Sequence, residues 1–146
     1  MREKKVIGKR DKVSFPEFSL KDIDCKIDTG AATSAIHCHQ IKLTKRKGVL
    51  GVSFRLLDPE HPAYNDVTYW TSDFREKIIK SSFGEVEKRY MIRTKVVLFG
   101  KRYMTSFTLT DRKAMRFPVL IGRRLLKNRF LVDVSSEYLS FKARKS

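Results

Sequence analysis

Only two of the 146 residues are cysteines, Cys25 and Cys38. Two thiols are too few for a disulfide framework, and a chain of this length buries enough apolar surface to fold without one. Prolines number 4 and glycines 7, which excludes collagen-like and low-complexity chains. No apolar run approaches the ~18 residues that a membrane-spanning helix needs. None of signal-peptide length follows Met1-Arg2-Glu3-Lys4-Lys5. The expected setting is the cytoplasm, with both thiols reduced and no membrane span. Acidic residues are the other shortage. Lys and Arg total 32 against 16 Asp and Glu, a net charge of +16. A domain this basic is drawn to polyanions, so nucleic acid, a ribosome, an acidic polypeptide and an anionic membrane surface all qualify as partners.

What is present points to a packed domain. Apolar residues make up 41% and aromatics 11%, with Phe at 10 positions, too rich for a disordered chain. Long helical periodicity is nearly absent, and short runs with period two dominate. Ile23, Cys25 and Ile27 alternate with Asp24 and Lys26. Val52, Phe54 and Leu56 alternate with Ser53 and Arg55. Tyr90, Ile92, Thr94, Val96 and Leu98 define one face of a long strand, expected over residues 88–99. Phe99-Gly100-Lys101-Arg102 reads as a hairpin turn before a strand from Tyr103 to Leu109. Ser81-Ser82-Phe83-Gly84 reads as a second hairpin turn, and residues 58–66 as a loop. One short helix is expected from Arg123 through Leu126. Lys142 to Ser146 are expected to be a solvated end. No repeat or linker breaks the chain. The reading is one domain over residues 1–146, its core over roughly 20–141 and its two ends basic.

The sharpest local feature is Ile27-Asp28-Thr29-Gly30-Ala31. An apolar strand runs into a carboxylate, then Thr, then Gly. The strand fixes the carboxylate, Gly30 lets the backbone turn closely beneath it, and the Thr29 hydroxyl can tie the loop to a neighbour. An Asp-X-Gly tripeptide alone is also an ordinary turn. A second feature adds weight: Val119-Leu120-Ile121-Gly122-Arg123-Arg124-Leu125-Leu126 places two apolar residues and a Gly ahead of the expected helix. The order is Asp-Thr-Gly, then a Gly-bearing hairpin at 81–84, then apolar-apolar-Gly.

That ordered triple resembles the single-lobe aspartic peptidases of retropepsin type. Asp28 to His37, Lys80 to Gly84 with Arg89 and Thr94, Leu109 to Pro118, and the closing Val132-Asp133 are similar to a bacterial retropepsin-like family historically labelled as an ATP-dependent zinc protease. The similarity runs over roughly residues 20–134. Ala32 stands where many relatives carry a basic residue, and residues 44–74 are longer than in viral relatives. The resemblance implies an all-β fold: a closed, mostly antiparallel retropepsin-like barrel with one short C-terminal helix. It implies an aspartic endopeptidase in which Asp28 is catalytic and Thr29, Gly30 and Ala31 support its loop. Ser81, Ser82, Phe83 and Gly84 would form the flap over substrate. Leu120, Ile121, Gly122 and Arg123 would pack beneath the active site as structural residues. One Asp-Thr-Gly per chain implies a homodimer, with two Asp28 carboxylates sharing a proton around one water. Asp111 and Asp133 are the remaining carboxylates that a monomeric enzyme would have to recruit. Some relatives are encoded beside, or fused to, an ATP-grasp ligase that adds glutamate tails to a ribosomal protein. Such a ligase is therefore an implied partner, and an acidic or glutamate-tailed polypeptide an implied substrate.

Two alternatives remain beside this reading. The first is a non-catalytic basic module on the same barrel, binding RNA, the ribosome or an acidic peptide. Lys42-Leu43-Thr44-Lys45-Arg46-Lys47 is the densest basic run, and a solvated hairpin end is its plainer interpretation. The second is a zinc peptidase using His37 and His39, which share a face on a strand. Zinc sites show Cys-X₂₋₄-Cys, His-X₃₋₅-His or a His-Glu-X-X-His helix, and none occurs here. The expectation is no metal and no cofactor, with Cys25 and Cys38 as small buried hydrophobes. No phosphate-cradling glycine loop is present, so any ATP dependence would belong to a partner.

Overall fold

The computed structural model describes residues 3–80, 83–111 and 116–144, with the backbone alone at residues 79 and 80. In chain order the elements are β1 (Lys5–Ile7), β2 (Arg10–Phe15), a 3-10 turn (Pro16–Phe18), β3 (Leu20–Ile27), β4 (Ser34–Arg46) and β5 (Val49–Leu56). Then come β6 (Thr68–Thr71), β7 (Phe74–Lys80), β8 (Val86–Leu98), β9 (Lys101–Thr110) and β10 (Val119–Ile121). The chain closes with α1 (Arg123–Leu126), β11 (Phe130–Val132) and α2 (Leu139–Ala143).

Strand pairing closes a ring in the order β10-β3-β2-β8-β9-β4 and back to β10. Two of its pairings, β10 with β3 and β4 with β9, are parallel, and the others are antiparallel. Closure removes free edges inside the ring. β5 and β6 extend outward from β4, and β7 extends from β8. β1 and β11 form a separate parallel pair. The barrel is all-β and mostly antiparallel, as the alternation and the resemblance imply. Among the described residues no helix is long and apolar enough to cross a membrane.

The alternating residues fill the ring. Ile23, Cys25, Val52, Val96, Leu98 and Phe107 are inaccessible, and Phe15 meets Phe107 edge to face at 5.3 Å. Burying side chains of this size stabilises by about 1.5–3 kcal/mol each relative to exposure. Two hairpins turn on two residues with positive φ: Lys47-Gly48 (50° and 78°) and Phe99-Gly100 (51° and 71°). This is the twist that matches right-handed strands, and glycine at the second position makes it cheap.

Two expectations are corrected. The core begins well before residue 20. Ile7, Asp11, Val13 and Phe15 are buried, and β2 bridges β3 and β8 within the ring. The chain end is also structured further than expected, through a second short helix, α2. The buried Asp11 carboxylate accepts the N–H groups of Ser140 at 2.8 Å and Phe141 at 3.1 Å, which otherwise lack helical partners. Ser140 Oγ in turn accepts the Phe99 N–H at 2.8 Å, and Arg144 pairs with Asp22. The long strand expected over 88–99 runs instead from Val86 to Leu98, because Phe99 enters the turn.

Candidate active site

Asp28 stands where β3 leaves the ring, and the backbone on every side is bonded into place. Its N–H donates to Ile121 O at 2.8 Å, and its carbonyl accepts the Ala31 N–H at 3.2 Å. The carboxylate is held by its own loop, with Oδ1 accepting the Gly30 N–H at 3.0 Å. Gly122 closes the arrangement from β10: its N–H donates to Ser34 Oγ at 3.0 Å. A Cβ there would lie 2.8 Å from the Thr33 carbonyl and 2.9 Å from Ala31 O, so only glycine fits this crossing. Arg123 N–H donates to Ala31 O at 2.8 Å and Arg124 N–H to Ala32 O at 3.0 Å. Two loops separated by some 90 residues of chain thus interlock through main-chain bonds, which is why the sequence needs Asp-Thr-Gly and Ile-Gly-Arg together.

The contact expected of Thr29 runs through its carbonyl: Arg123 Nη1 donates to Thr29 O at 3.0 Å. Ile121 is inaccessible beneath the loop. Leu120 lines the Asp28 cleft together with Ala31, Ala32 and Thr33. Thr29 and Arg123 also border an apolar hollow of about 450 Å³ with Leu126, Phe130 and Val132. Of the flap residues, Ser81 and Ser82 lie outside the described residues. Phe83 is 93% exposed at the β7–β8 turn, and Gly84 there has φ 80°.

The same hairpin supplies two cations to which the sequence assigned no role, Arg89 entering only as part of the resemblance and Lys77 not at all. Lys77 and Arg89 both line the cleft of about 310 Å³ that holds Asp28. They are direct cross-strand partners on β7 and β8. Two cations facing each other across a ladder are destabilising, so the sheet gains nothing from them. One terminal nitrogen of Arg89 meets the exposed Glu87 carboxylate at 3.3 Å. Its Nε is buried and, among the described residues, donates to nothing. The signal was available in register counting. With Phe83 at the apex, residues equidistant from it pair, which sets Lys77 and Arg89, six positions to either side, opposite one another.

The other titratable candidates lie elsewhere. His37 and His39 border a separate cleft of about 650 Å³ with Asp58, Glu60 and Asp111. His37 Nδ1 is 3.2 Å from Thr110 O and His39 Nδ1 is 3.0 Å from Leu57 O, while the Tyr64 hydroxyl is 3.3 Å from His39 Nε2. Among the described residues no three of His, Cys, Asp and Glu converge to hold a metal ion. Cys25 and Cys38 are buried and unpaired with each other. Burial pushes the Cys38 thiol up to about 12 and the Cys25 thiol higher still, so neither is a thiolate ligand or nucleophile at neutral pH. Asp133 is occupied in a turn: Ser135 N–H and Oγ donate to Oδ1 and Ser136 Oγ to Oδ2. Those bonds hold its carboxyl below the usual range. Neither Asp111 nor Asp133 shares the cleft of Asp28.

Comparison with known proteins agrees with this geometry. A family model described as RimB-like, retropepsin-like aspartic endopeptidase RimB, matches residues 6–143. A protein named probable alpha-L-glutamate ligase from Shewanella halifaxensis is 36% identical over 137 residues, covering 91% of this chain and 29% of that protein. One with the same name from Desulfotalea psychrophila is 37% identical over 134 residues, covering 89% of this chain and 28% of the relative. The chain therefore spans less than a third of the length of these relatives. The crystal structure of a Legionella pneumophila protein of unknown function superposes with a TM-score of 0.71 at 21% identity, covering 94% of this chain and 99% of the other. At that identity it speaks to the fold alone.

Proposed function

Since the chain belongs to the RimB-like family of retropepsin-like aspartic endopeptidases, we propose that it hydrolyses peptide bonds as a homodimer through two copies of Asp28, and that its substrate carries carboxylates close to the bond cleaved. The observation that carries this reading is the cleft itself: one loop-held carboxylate faced by Lys77 and Arg89.

One Asp28 per chain is half of a dyad. Two carboxylates around one water share a proton, because like charges that close do not both ionise. The ionised Asp28 takes a proton from the water as its oxygen attacks the scissile carbonyl carbon. The protonated Asp28 of the second copy donates to the carbonyl oxygen. The resulting tetrahedral centre collapses, the C–N bond breaks, and the amine leaves with a proton from the dyad. The apolar hollow beside Thr29 and Arg123 is continuous with the Asp28 loop and offers the surface on which the second copy would seat. The β7–β8 hairpin would close over the bound peptide and exclude water.

Lys77 and Arg89 favour an acidic peptide. A charge-assisted hydrogen bond to a carboxylate contributes about 1.5–3 kcal/mol, and the buried Arg89 Nε has a donor to offer. The name of the relatives, probable alpha-L-glutamate ligase, supports glutamate-bearing chains as the class to test, and a ligase as a partner. The mechanism assigns no role to a metal, and the histidine cleft is separate from Asp28.

The test is cleavage of glutamate-tailed and neutral peptides by wild type and by Asp28→Asn, with and without chelator. The expected outcome is cleavage by wild type only, faster on the acidic peptides and indifferent to chelator, with a loss of at least about 10²-fold in the variant. Undiminished cleavage by Asp28→Asn would overturn the mechanism. Equal rates on both peptide classes would overturn the substrate assignment alone.

A further inference from the structure

The chain's basicity is not evenly spread. Residues 29–57 contain no Asp or Glu, yet hold Lys42, Lys45, Arg46, Lys47 and Arg55. All five lie on the β4–β5 hairpin, the longest arm leaving the ring. Arg55 is neutralised by Asp66. The other four are exposed and form no ion pair among the described residues. From Ser34, beside the Asp28 loop, to Arg46 the path is at most about 40 Å at ~3.3 Å per residue, with a bend at Gln40, where φ is 53° and the β4–β5 register shifts. The arm's tip is therefore remote from the cleft.

The arm carries a built aromatic platform. Trp70, on β6, is the only tryptophan in the sequence. Its indole lies across Gly51, where a Cβ would come within 2.3 Å of the ring, so glycine is what lets the ring lie on the strand. Nε1 donates to Thr44 O at 2.9 Å and fixes the ring's orientation. The Arg46 guanidinium lies over the ring at 5.4 Å. By strand alternation Lys42, Thr44 and Arg46 share this face. An arginine laid on an aromatic ring loses little freedom when it binds an anion, and no carboxylate among the described residues pairs with it. A hairpin tip that needed only protection from edge pairing would be served by lysines alone. It would need neither the glycine seat nor the pinned indole.

We propose that this face of the β4–β5–β6 arm is a nucleic-acid-binding surface. Lys42 and Arg46 on this face, with Lys47 at the turn, engage backbone phosphates, and the Trp70–Arg46 stack receives a base or sugar of a single-stranded or looped RNA. Cations flanking a stacking group along an extended sheet face is the arrangement that single-strand binders use. A membrane is the less favoured polyanion. The indole sits mid-arm and is tied to the backbone, and the tip itself is the polar Lys47-Gly48 turn. The surface is independent of the peptidase assignment, since it uses no residue of the Asp28 cleft.

The experiment uses the chain's own probe. Trp70 fluorescence is followed while an unstructured 20-nucleotide RNA is titrated into wild-type protein at several salt concentrations. The same titration is made with Lys42→Glu/Arg46→Glu/Lys47→Glu. A control, Lys21→Glu/Lys101→Glu/Arg102→Glu, shifts the net charge equally at exposed positions elsewhere. The expected result is a saturable change in Trp70 emission. The arm variant binds at least tenfold more weakly, with a log-log salt slope shallower by about two for three lost phosphate contacts. The control loses under threefold. If both variants weaken equally, the binding is general charge and the proposal fails. It fails too if RNA binds without altering Trp70, or if anionic phosphatidylserine vesicles alter Trp70 and RNA does not. Gly51→Ala, which displaces the indole without changing charge, should weaken RNA binding while circular dichroism and peptide cleavage stay those of wild type; unchanged RNA affinity in a Gly51→Ala protein whose Trp70 emission has shifted would overturn the stacking role.

Discussion

Two parts of the Asp28 cleft are made in opposite ways. The wall formed by the Asp28 loop, β10 and α1 is held by main-chain hydrogen bonds and a glycine, and its neighbours are apolar. The wall formed by the β7–β8 hairpin is held by one two-stranded ladder, and it presents charged side chains. Chemistry needs a carboxylate that does not wander, and interlocked backbone supplies that. On the proposed function, recognition needs groups that meet a substrate and release it, which is the part given to the long cations of the projecting hairpin. The difference also separates what is robust from what is adjustable. The proposed function then expects changes in the hairpin to alter specificity at little cost to the fold, and changes in the loop wall to unmake both.

The same substitution in the two walls measures this directly. Gly122→Ala places a methyl group against backbone atoms of Thr33 and Ala31 that cannot retreat. The expected loss is about 3 kcal/mol, read as a lower urea midpoint, and peptide cleavage should vanish with it. Gly84→Ala meets open space, and its cost is only the positive φ of 80°. That is about 1 kcal/mol, confined to a hairpin that opens locally, so the global midpoint should barely move. Equal destabilisation by the two would break the comparison.

Lys77→Gln with Arg89→Gln sharpens it from the other side. Removing two facing cations should leave stability unchanged or raise it by about 0.5 kcal/mol. Meanwhile kcat/KM for acidic peptides should fall about 10–100-fold and that for neutral peptides should not. A parallel loss on both peptide classes would assign these residues to the hairpin's architecture instead. The smallest effect concerns the buried thiols on the ring side. Both Cys25 and Cys38 are raised above an ordinary thiol value of 9.0, chiefly by burial. Their contribution to stability is complete below the unfolded value and is lost as pH climbs past it toward the folded one. The urea midpoint should decline gently above about pH 9, and Cys25→Ala/Cys38→Ala should remove part of that decline. At pH 8 neither thiol of the folded protein should alkylate.

Much of this was legible in the residues. The β3 and β8 cores follow from strict alternation, and both loops of the rigid wall follow from short motifs whose glycines have steric reasons. The N-terminal strand was not legible. Arg10-Asp11-Lys12-Val13-Ser14-Phe15 reads as a basic end, because its inward positions include Asp11, a carboxylate buried to hold a helix 129 residues further on. No local pattern announces a partner that distant. α2 was hidden for the matching reason: its start is stabilised by Asp11 and not by a capping residue of its own. Arg89 is legible only as part of the resemblance and Lys77 not at all, since only the hairpin register shows that they face one another. Thr29 was assigned a hydroxyl contact, and the structure uses its carbonyl. Residue type suggests which groups a side chain offers, not which of them the backbone geometry will present.

The ring is shut by β10, a strand of three residues that pairs with β3 on one side and β4 on the other. Its partners lie about 85–95 positions earlier in the chain, so closure is a long-range event with little local encouragement. A polypeptide emerging from the ribosome carries Asp28 long before it carries Gly122. Until β10 has been made, the carboxylate has no floor beneath it. On the proposed function, the order of synthesis delays the assembly of a working dyad. Refolding should show Trp70 reaching its final emission before cleavage appears, and a lag between the two is the time for which the nascent hydrolase is harmless to its own chain.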